Sequence, residues 1–380
     1  MTKKITYLDY NATTPVDARV VEIVNEHFIS LYANASSHYS FGNNAKKAID
    51  NAKLNISNLL NADSENIYFT SGATESINLA LKGLALHPSN NKKHIITCHT
   101  EHKAVLETCS YLTSIGFEID YLDVNKQGLI NLDKLQSLIK KDTLLICLMW
   151  VNNETGVIHP IKEIGKIAKD SNVYFVCDGT QGVGKIPINM QDSNIDIFCF
   201  SGHKLYAPKG IGGVYINNNI TKNNRIQPLI HGGGQENNLR SGTYNVPLIA
   251  GLGLAFQIAQ NEMITNQVYI KGIQDFLEKE LLKITNSFIN GNLQNRLYNT
   301  TNICIPYLDS EVFIGMNKDL AISNGSACSS ALIQPSHVLL AMGLSYDEAM
   351  NSIRISLGKD TTKEDIKLLI QRINNFLETN

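Results

Sequence analysis

One lysine in this sequence stands in a setting suited to covalent chemistry. Ile195-Asp196-Ile197-Phe198-Cys199-Phe200 is an apolar run of strand length, it stops at Ser201-Gly202-His203-Lys204, and Pro208-Lys209-Gly210-Ile211-Gly212-Gly213 follows. The pattern puts Lys204 at the edge of a buried sheet with a hydroxyl and an imidazole beside it. Desolvation lowers the pKa of such an amine and frees its lone pair, as Schiff-base formation with a carbonyl-bearing cofactor such as pyridoxal phosphate requires. Asp178 ends another apolar run, Val173-Tyr174-Phe175-Val176-Cys177, where an unpaired buried carboxylate is costly. A protonated pyridine nitrogen would pair with it, and so would the start of a helix or turn. Phe69-Thr70 leads into Ser71-Gly72-Ala73-Thr74, where backbone N–H groups and the Thr74 hydroxyl can hold a phosphate at a helix N-terminus. Each feature alone also fits an ordinary turn or helix start. An acid 26 residues before the lysine, together with a phosphate cradle, makes coincidence a poor account.

The elements that must position these groups alternate along the chain. Helical spacing is expected over 16–29 and 44–60, and strands over 67–70, 94–98, 117–122, 144–151 and 173–177, with helices between them at 77–86, 105–112, 132–139 and from Ile161. This order predicts an α/β fold: a mostly parallel sheet with helices on both faces and a ligand beyond the carboxyl ends of the strands. His99-Thr100-Glu101-His102, Asn152-Asn153-Glu154 and Asp178-Gly179-Thr180-Gln181 all follow strands, so polar groups gather at one sheet edge. The stretch 217–225 reads as a polar surface loop. His231-Gly232-Gly233-Gly234-Gln235 through Arg240-Ser241-Gly242-Thr243 reads as a flexible segment able to approach a phosphate or a neighbouring subunit. A helix over 247–260 leads to a boundary near 262, which divides the chain into a large domain at 15–262 and a smaller α/β domain built from 1–14 and 263–380.

With 380 residues the chain exceeds what one core usually fills. The 43% hydrophobic and 18% charged content describes a soluble globular protein, and a net charge of -2 argues against a general nucleic-acid or membrane-surface binder. The N-terminus lacks the apolar core of a signal peptide and no run is long enough to span a bilayer, so a cytoplasmic protein is expected. Seven cysteines without a Cys-x-x-Cys pair do not form a disulfide framework. Cys147, Cys177, Cys199 and Cys304 sit in apolar runs, as buried cysteines do. Cys328 differs, because Ser323-Asn324-Gly325-Ser326-Ala327-Cys328-Ser329-Ser330-Ala331 is small, polar and loop-like.

Taken together, these segments resemble those of the class I cysteine desulfurases, the NifS- and IscS-like group of fold-type I pyridoxal-phosphate enzymes. The likeness runs through Tyr7-Leu8-Asp9-Tyr10-Asn11-Ala12-Thr13-Thr14-Pro15, Phe69-Thr70-Ser71-Gly72-Ala73-Thr74-Glu75-Ser76, Thr100-Glu101-His102-Lys103-Ala104-Val105 and Val151-Asn152-Asn153-Glu154-Thr155-Gly156. It continues through Ser201-Gly202-His203-Lys204, Arg240-Ser241-Gly242-Thr243, Gly325-Ser326-Ala327-Cys328 and Ile353-Arg354-Ile355-Ser356-Leu357-Gly358.

The resemblance implies a role for each of these residues. Lys204 would carry pyridoxal 5'-phosphate as a Schiff base, Asp178 would pair with the pyridinium nitrogen, and Gln181 would hydrogen-bond the ring hydroxyl. Ala73, Thr74, Ser201 and His203 would bind the phosphate, joined by Thr243 from the other subunit of a homodimer. His102 would stack on the ring and assist proton transfer. Asn153 and Arg354 would hold the substrate carboxylate, Asn153 also touching the cofactor. Cys328 would take sulfur from L-cysteine as a persulfide, leaving alanine, and pass it to an acceptor such as an iron–sulfur scaffold. No metal, nucleic-acid or membrane partner is implied. The same fold would also serve a selenocysteine lyase or another cysteine lyase. An aminotransferase needs no nucleophile like Cys328. Cys98-His99-x-x-His102 suggests a metal site, but neighbours on a strand face opposite ways.

Three departures from the family pattern stand out. Asn34-Ala35-Ser36-Ser37-His38-Tyr39 lacks the usual proline and carries its histidine one place early. Gly179 replaces the usual alanine after the aspartate, which is expected to loosen the turn. The sequence ends at Asn380, soon after its last helix, where some relatives have a longer tail for scaffold binding.

Overall fold

The structure is a computed structural model that describes residues 5–325 and 334–379. Its centre is a seven-stranded sheet of β2 (Ile67–Thr70), β3 (His94–Cys98), β4 (Glu118–Leu122), β5 (Thr143–Met149), β6 (Tyr174–Asp178), β7 (Ile197–Ser201) and β8 (Gly212–Ile216), in the order β2-β8-β7-β6-β5-β3-β4. Only β8 runs against its neighbours. The other six strands therefore end on one edge, where the apolar runs of the sequence give way to polar residues.

The alternation within strands explains the two layers. Phe69, Ile96, Ile146, Phe175, Phe198 and Phe200 enter one core with the helices Ser40–Leu60 and Val246–Leu281. Tyr68, Ile95, Leu145, Val176, Ile197 and Cys199 enter a second core with the helices Ala73–Ala85 and Lys103–Ser114 on the opposite face. A sheet buried on both faces favours apolar side chains through its strands, which is why β5 and β7 read as nearly continuous hydrophobic runs, whereas the edge strand β4 keeps Glu118 and Asp120.

A third core is built from Leu8, the helix Lys363–Thr379 and the three-stranded antiparallel sheet of β9 (Phe288–Ile289), β10 (Thr300–Cys304) and β12 (Ser352–Ser356). The N-terminal strand β1 (Thr6–Tyr7) pairs in parallel with β11 (Leu320–Ala321), which ties the start of the chain to this unit. The helix expected over 247–260 extends from Val246 to Leu281 without a break, through the boundary expected near 262. Ile249, Leu252 and Phe256 face the large-sheet core, whereas Ile270, Ile273 and Leu277 face the third. Residues 217–225, expected as loop, contain a short helix, Asn218–Lys222, capped by Asn217.

Candidate active site

The strand ends converge on an open cleft of roughly 660 Å³ lined by Asn11, Ala73, Thr74, His102, Asn153, Asp178, Gln181, Ser201, His203, Lys204 and Arg354. β2 delivers the Ser71–Thr74 turn, β3 His102, β5 Asn153, β6 Asp178 and Gln181, and β7 Ser201 to Lys204. Arg354 arrives from β12. The cleft thus gathers all the candidate residues except Thr243, which is exposed on the segment after Arg240, and Cys328, which lies outside the described residues.

The turn after β2 is shaped for an anion. Gly72 adopts φ 152°, a conformation that side-chain-bearing residues avoid, and no side chain caps the helix Ala73–Ala85 behind it. The first-turn N–H groups therefore have no intrahelical acceptor and point into the cleft at the positive end of the dipole. Thr70 Oγ1 and Ser76 Oγ lie 2.8 Å apart, and Ser71 N–H donates to Glu75 Oε2 at 2.9 Å. Arg240 in turn donates to Glu75 Oε1 at 2.9 Å, which anchors the start of the Arg-Ser-Gly-Thr segment to the same turn.

Lys204 Nζ donates to the carbonyls of Asn11 and Ala12, both at 2.7 Å. Burial pulls its pKa down to about 8, helped by the Arg354 charge and opposed by Asp9 and Asp178. Asp178 is 7% exposed, accepts the Thr180 N–H at 2.9 Å and forms no ion pair among the described residues. His203 is depressed to about 4, by burial first and then by Lys204, Lys209 and Lys185, so it enters the site neutral. His102 is also held below its ordinary range by burial, with Asp178 opposing. Ala104 N–H donates to His102 Nδ1 at 3.1 Å, which leaves the neutral ring's proton on Nε2.

Arg354 is fixed at two points. Its Nη2 lies 2.7 Å from Asp9 Oδ1 and its Nη1 donates to the Asn153 carbonyl at 3.1 Å, while Nε is buried without a partner. Sequence reasoning gave no role to Asp9 or Asn11, although both lie in a quoted motif. It also missed Glu101, whose buried carboxylate accepts the Met149 N–H at 2.7 Å and ties β3 to β5.

Gly179 packs against Phe198. A methyl group there would stand 1.8 Å from the Phe198 ring, so Phe198 occupies the space that an alanine would need. The 34–39 turn closes without proline on Asn34, whose Oδ1 accepts the Ser36 N–H at 2.9 Å. Cys98 is fully buried beside Thr100, while His99 is half exposed and stacks on Tyr121. Among the described residues no cluster of three or more metal-ligating side chains forms.

The aminotransferase class-V family model matches residues 6–369. The chain belongs to this family. It is 44% identical over 376 residues to cysteine desulfurase IscS of Histophilus somni, covering 98% of this chain and 92% of that one. It is 45% identical over 369 residues to cysteine desulfurase IscS of Rickettsia prowazekii, covering 97% and 90%. A solved NifS-like protein superposes with a TM-score of 0.92 at 35% identity, covering 99% of this chain and all of that one. A structure described as SspA in complex with cysteine gives 0.83 at 39%, covering 94% and 99%.

Pyridoxal 5'-phosphate is the cofactor of this enzyme class, and the cleft fits it. A buried carboxylate without a cation suits a pyridinium, uncapped helix N–H groups suit a phosphate, and an amine with a depressed pKa suits an aldehyde.

Proposed function

We propose that this protein is a cysteine desulfurase that converts L-cysteine to L-alanine and carries the released sulfur on Cys328 as a persulfide. The observation that carries the reading is the convergence of Lys204, Asp178 and Arg354 on one cleft beside an uncapped helix N-terminus. Lys204, Asp178 and Gln181 would hold the cofactor ring, with its phosphate on Ala73, Thr74, Ser201 and His203, and with Thr243 of a second copy completing the cradle in a homodimer. When bound, pyridoxal phosphate supplies an electron sink for the substrate's α-carbon.

The chain's own residues do the rest. Arg354, preset by Asp9 and the Asn153 carbonyl, receives the substrate carboxylate in a fork geometry. Lys204, with its low pKa, takes up and returns protons near the cleft floor, and neutral His102 presents an Nε2 proton. The six cysteines among the described residues are all buried, and burial raises the thiols of Cys98, Cys109 and Cys304 to about 11, 12 and 11. Cys328, in its Gly-Ser-Ala-Cys segment, would be the nucleophile, as the resemblance to cysteine desulfurases implies. Its thiolate attacks the substrate sulfur, an S–S bond forms, the Cβ–S bond breaks, and the electron pair left on carbon takes a proton to give alanine. The balance needs no external oxidant.

The third core supports a partition into a large unit at 15–262 and a small unit of 1–14 with 263–380 that carries Cys328. A thiol protein such as an iron–sulfur scaffold would receive the sulfur in the cytoplasm; no helix among the described residues is long and apolar enough to cross a membrane. Cys328→Ser is expected to keep the cofactor's absorbance but to form neither alanine nor sulfide from cysteine. Full turnover in that variant overturns the reading. Release of selenide from selenocysteine, with no turnover of cysteine by the native protein, would make it a selenocysteine lyase.

A further inference from the structure

A second lysine lies directly behind the cleft. Lys185 is 8% exposed, forms no ion pair among the described residues, and reaches its position because the turn after β6 folds its side chain back over Gln181. Its Nζ donates to the Gln181 carbonyl at 3.2 Å and to Gln181 Oε1 at 3.0 Å. On the other side, Gln181 Nε2 donates to the Asn11 carbonyl at 3.0 Å, the same oxygen that accepts Lys204 Nζ at 2.7 Å. Lys185 and Lys204 also share a largely apolar cavity of about 40 Å³.

This geometry decides which way the Gln181 amide faces. A backbone carbonyl only accepts, so the Asn11 carbonyl requires the amide N–H₂ on its side. The amide oxygen must therefore face Lys185, and its N–H₂ must face Asn11 and the cleft. Asn11 sets the direction of the amide, and the two Lys185 hydrogen bonds hold it there. An unpaired buried ammonium is costly, so a lysine kept here in place of an apolar residue has to be explained by what it holds.

We infer that Lys185 is a positioning residue for the cofactor site: it fixes the Gln181 amide so that its N–H₂ group faces the cleft, and through Asn11 it sets the environment of Lys204. The inference rests on Lys204 being the cofactor lysine. Burial, with the Lys204 charge as a second cause, brings Lys185 down to about 7.

The test compares native holoenzyme, Lys185→Met, Gln181→Leu and the double variant. Each is followed by the pH midpoint of the visible chromophore, after Lys204→Ala has shown that the chromophore depends on Lys204. Lys185→Met removes both hydrogen bonds to Gln181 and so loosens the amide's hold on the Asn11 carbonyl, leaving that oxygen freer to accept from Lys204, and the midpoint is expected to rise by about half to one unit. In the Gln181→Leu background the same change is expected to move the midpoint much less, because its target is gone. A midpoint unmoved by Lys185→Met, with only a lower melting temperature, overturns the inference. An equal shift in both backgrounds overturns it as well. If Lys185→Met does not accumulate as folded holoenzyme, Lys185→Gln carries the same comparison and the same two refuting results. Absence of a Lys204-dependent chromophore in the native protein overturns the cofactor reading and this inference with it, whereas a normal chromophore with an unmoved midpoint overturns this inference alone.

Discussion

Asp9→Asn isolates the preset of Arg354. Asp9 Oδ1 lies 2.7 Å from Arg354 Nη2, and the two side chains are only 18% and 7% exposed. A hydrogen bond to a charged partner contributes about 1.5–3 kcal/mol, and asparagine keeps a neutral acceptor in its place, so a loss of about 1–2 kcal/mol is expected. Arg354 would meet the substrate's carboxylate and not its sulfur, so the loss belongs to binding. KM for L-cysteine is expected to rise roughly 5- to 30-fold, with kcat changing by less than about threefold. Alanine formation across a cysteine series gives both constants, and circular dichroism with the cofactor absorbance shows that the variant is folded and loaded. An unchanged KM in a folded, loaded variant refutes the reasoning, and so does a fall confined to kcat. The variant has a second readout of opposite sign to Lys185→Met. The Asp9 charge raises the Lys204 pKa, so its removal lowers it further.

Two further outcomes follow from packing and burial. Gly179→Ala is expected to destabilise the protein by about 1–3 kcal/mol through overpacking against Phe198, as measured by chemical denaturation, with Phe198→Leu restoring part of the loss; an additive double variant would show that the two positions do not compete. His159 is fully buried with Nδ1 unpartnered, and burial lowers it from 6.5 to about 4. A depressed histidine is neutral in both folded and unfolded chains above pH 6.5, so stability is lost as pH falls from 6.5 toward 4, by about 3 kcal/mol over that window. His159→Gln is expected to flatten the pH dependence of the apo-protein's urea midpoint by that amount, and an unchanged slope refutes it.

Six strands of the large sheet were legible from their apolar residues, and their ends were legible because polar residues begin abruptly at Ser71, His99, Asp178 and Ser201, whereas β8 was missed because it opens inside the glycine-rich segment after Lys209. The long helix was legible only in part. Its middle, around Gln260-Asn261-Glu262, is polar enough to read as a linker, yet it contains neither glycine nor proline, so the backbone continues as helix while the buried face passes from one core to another. The packing reason for glycine at 179 was not legible, because Phe198 is 19 residues away in sequence and on an adjacent strand.

Local composition thus determined the sheet, its polar edge and the types of group gathered there, since periodicity and strand termination depend on residues a few places apart. Tertiary structure alone decided which groups meet. Arg354 finds Asp9 across 345 residues, Gln181 finds Asn11 across 170, and Lys204 finds the same Asn11 carbonyl. Such pairings depend on how the third core seats the N-terminal segment against the sheet edge, and no short-range pattern encodes that distance.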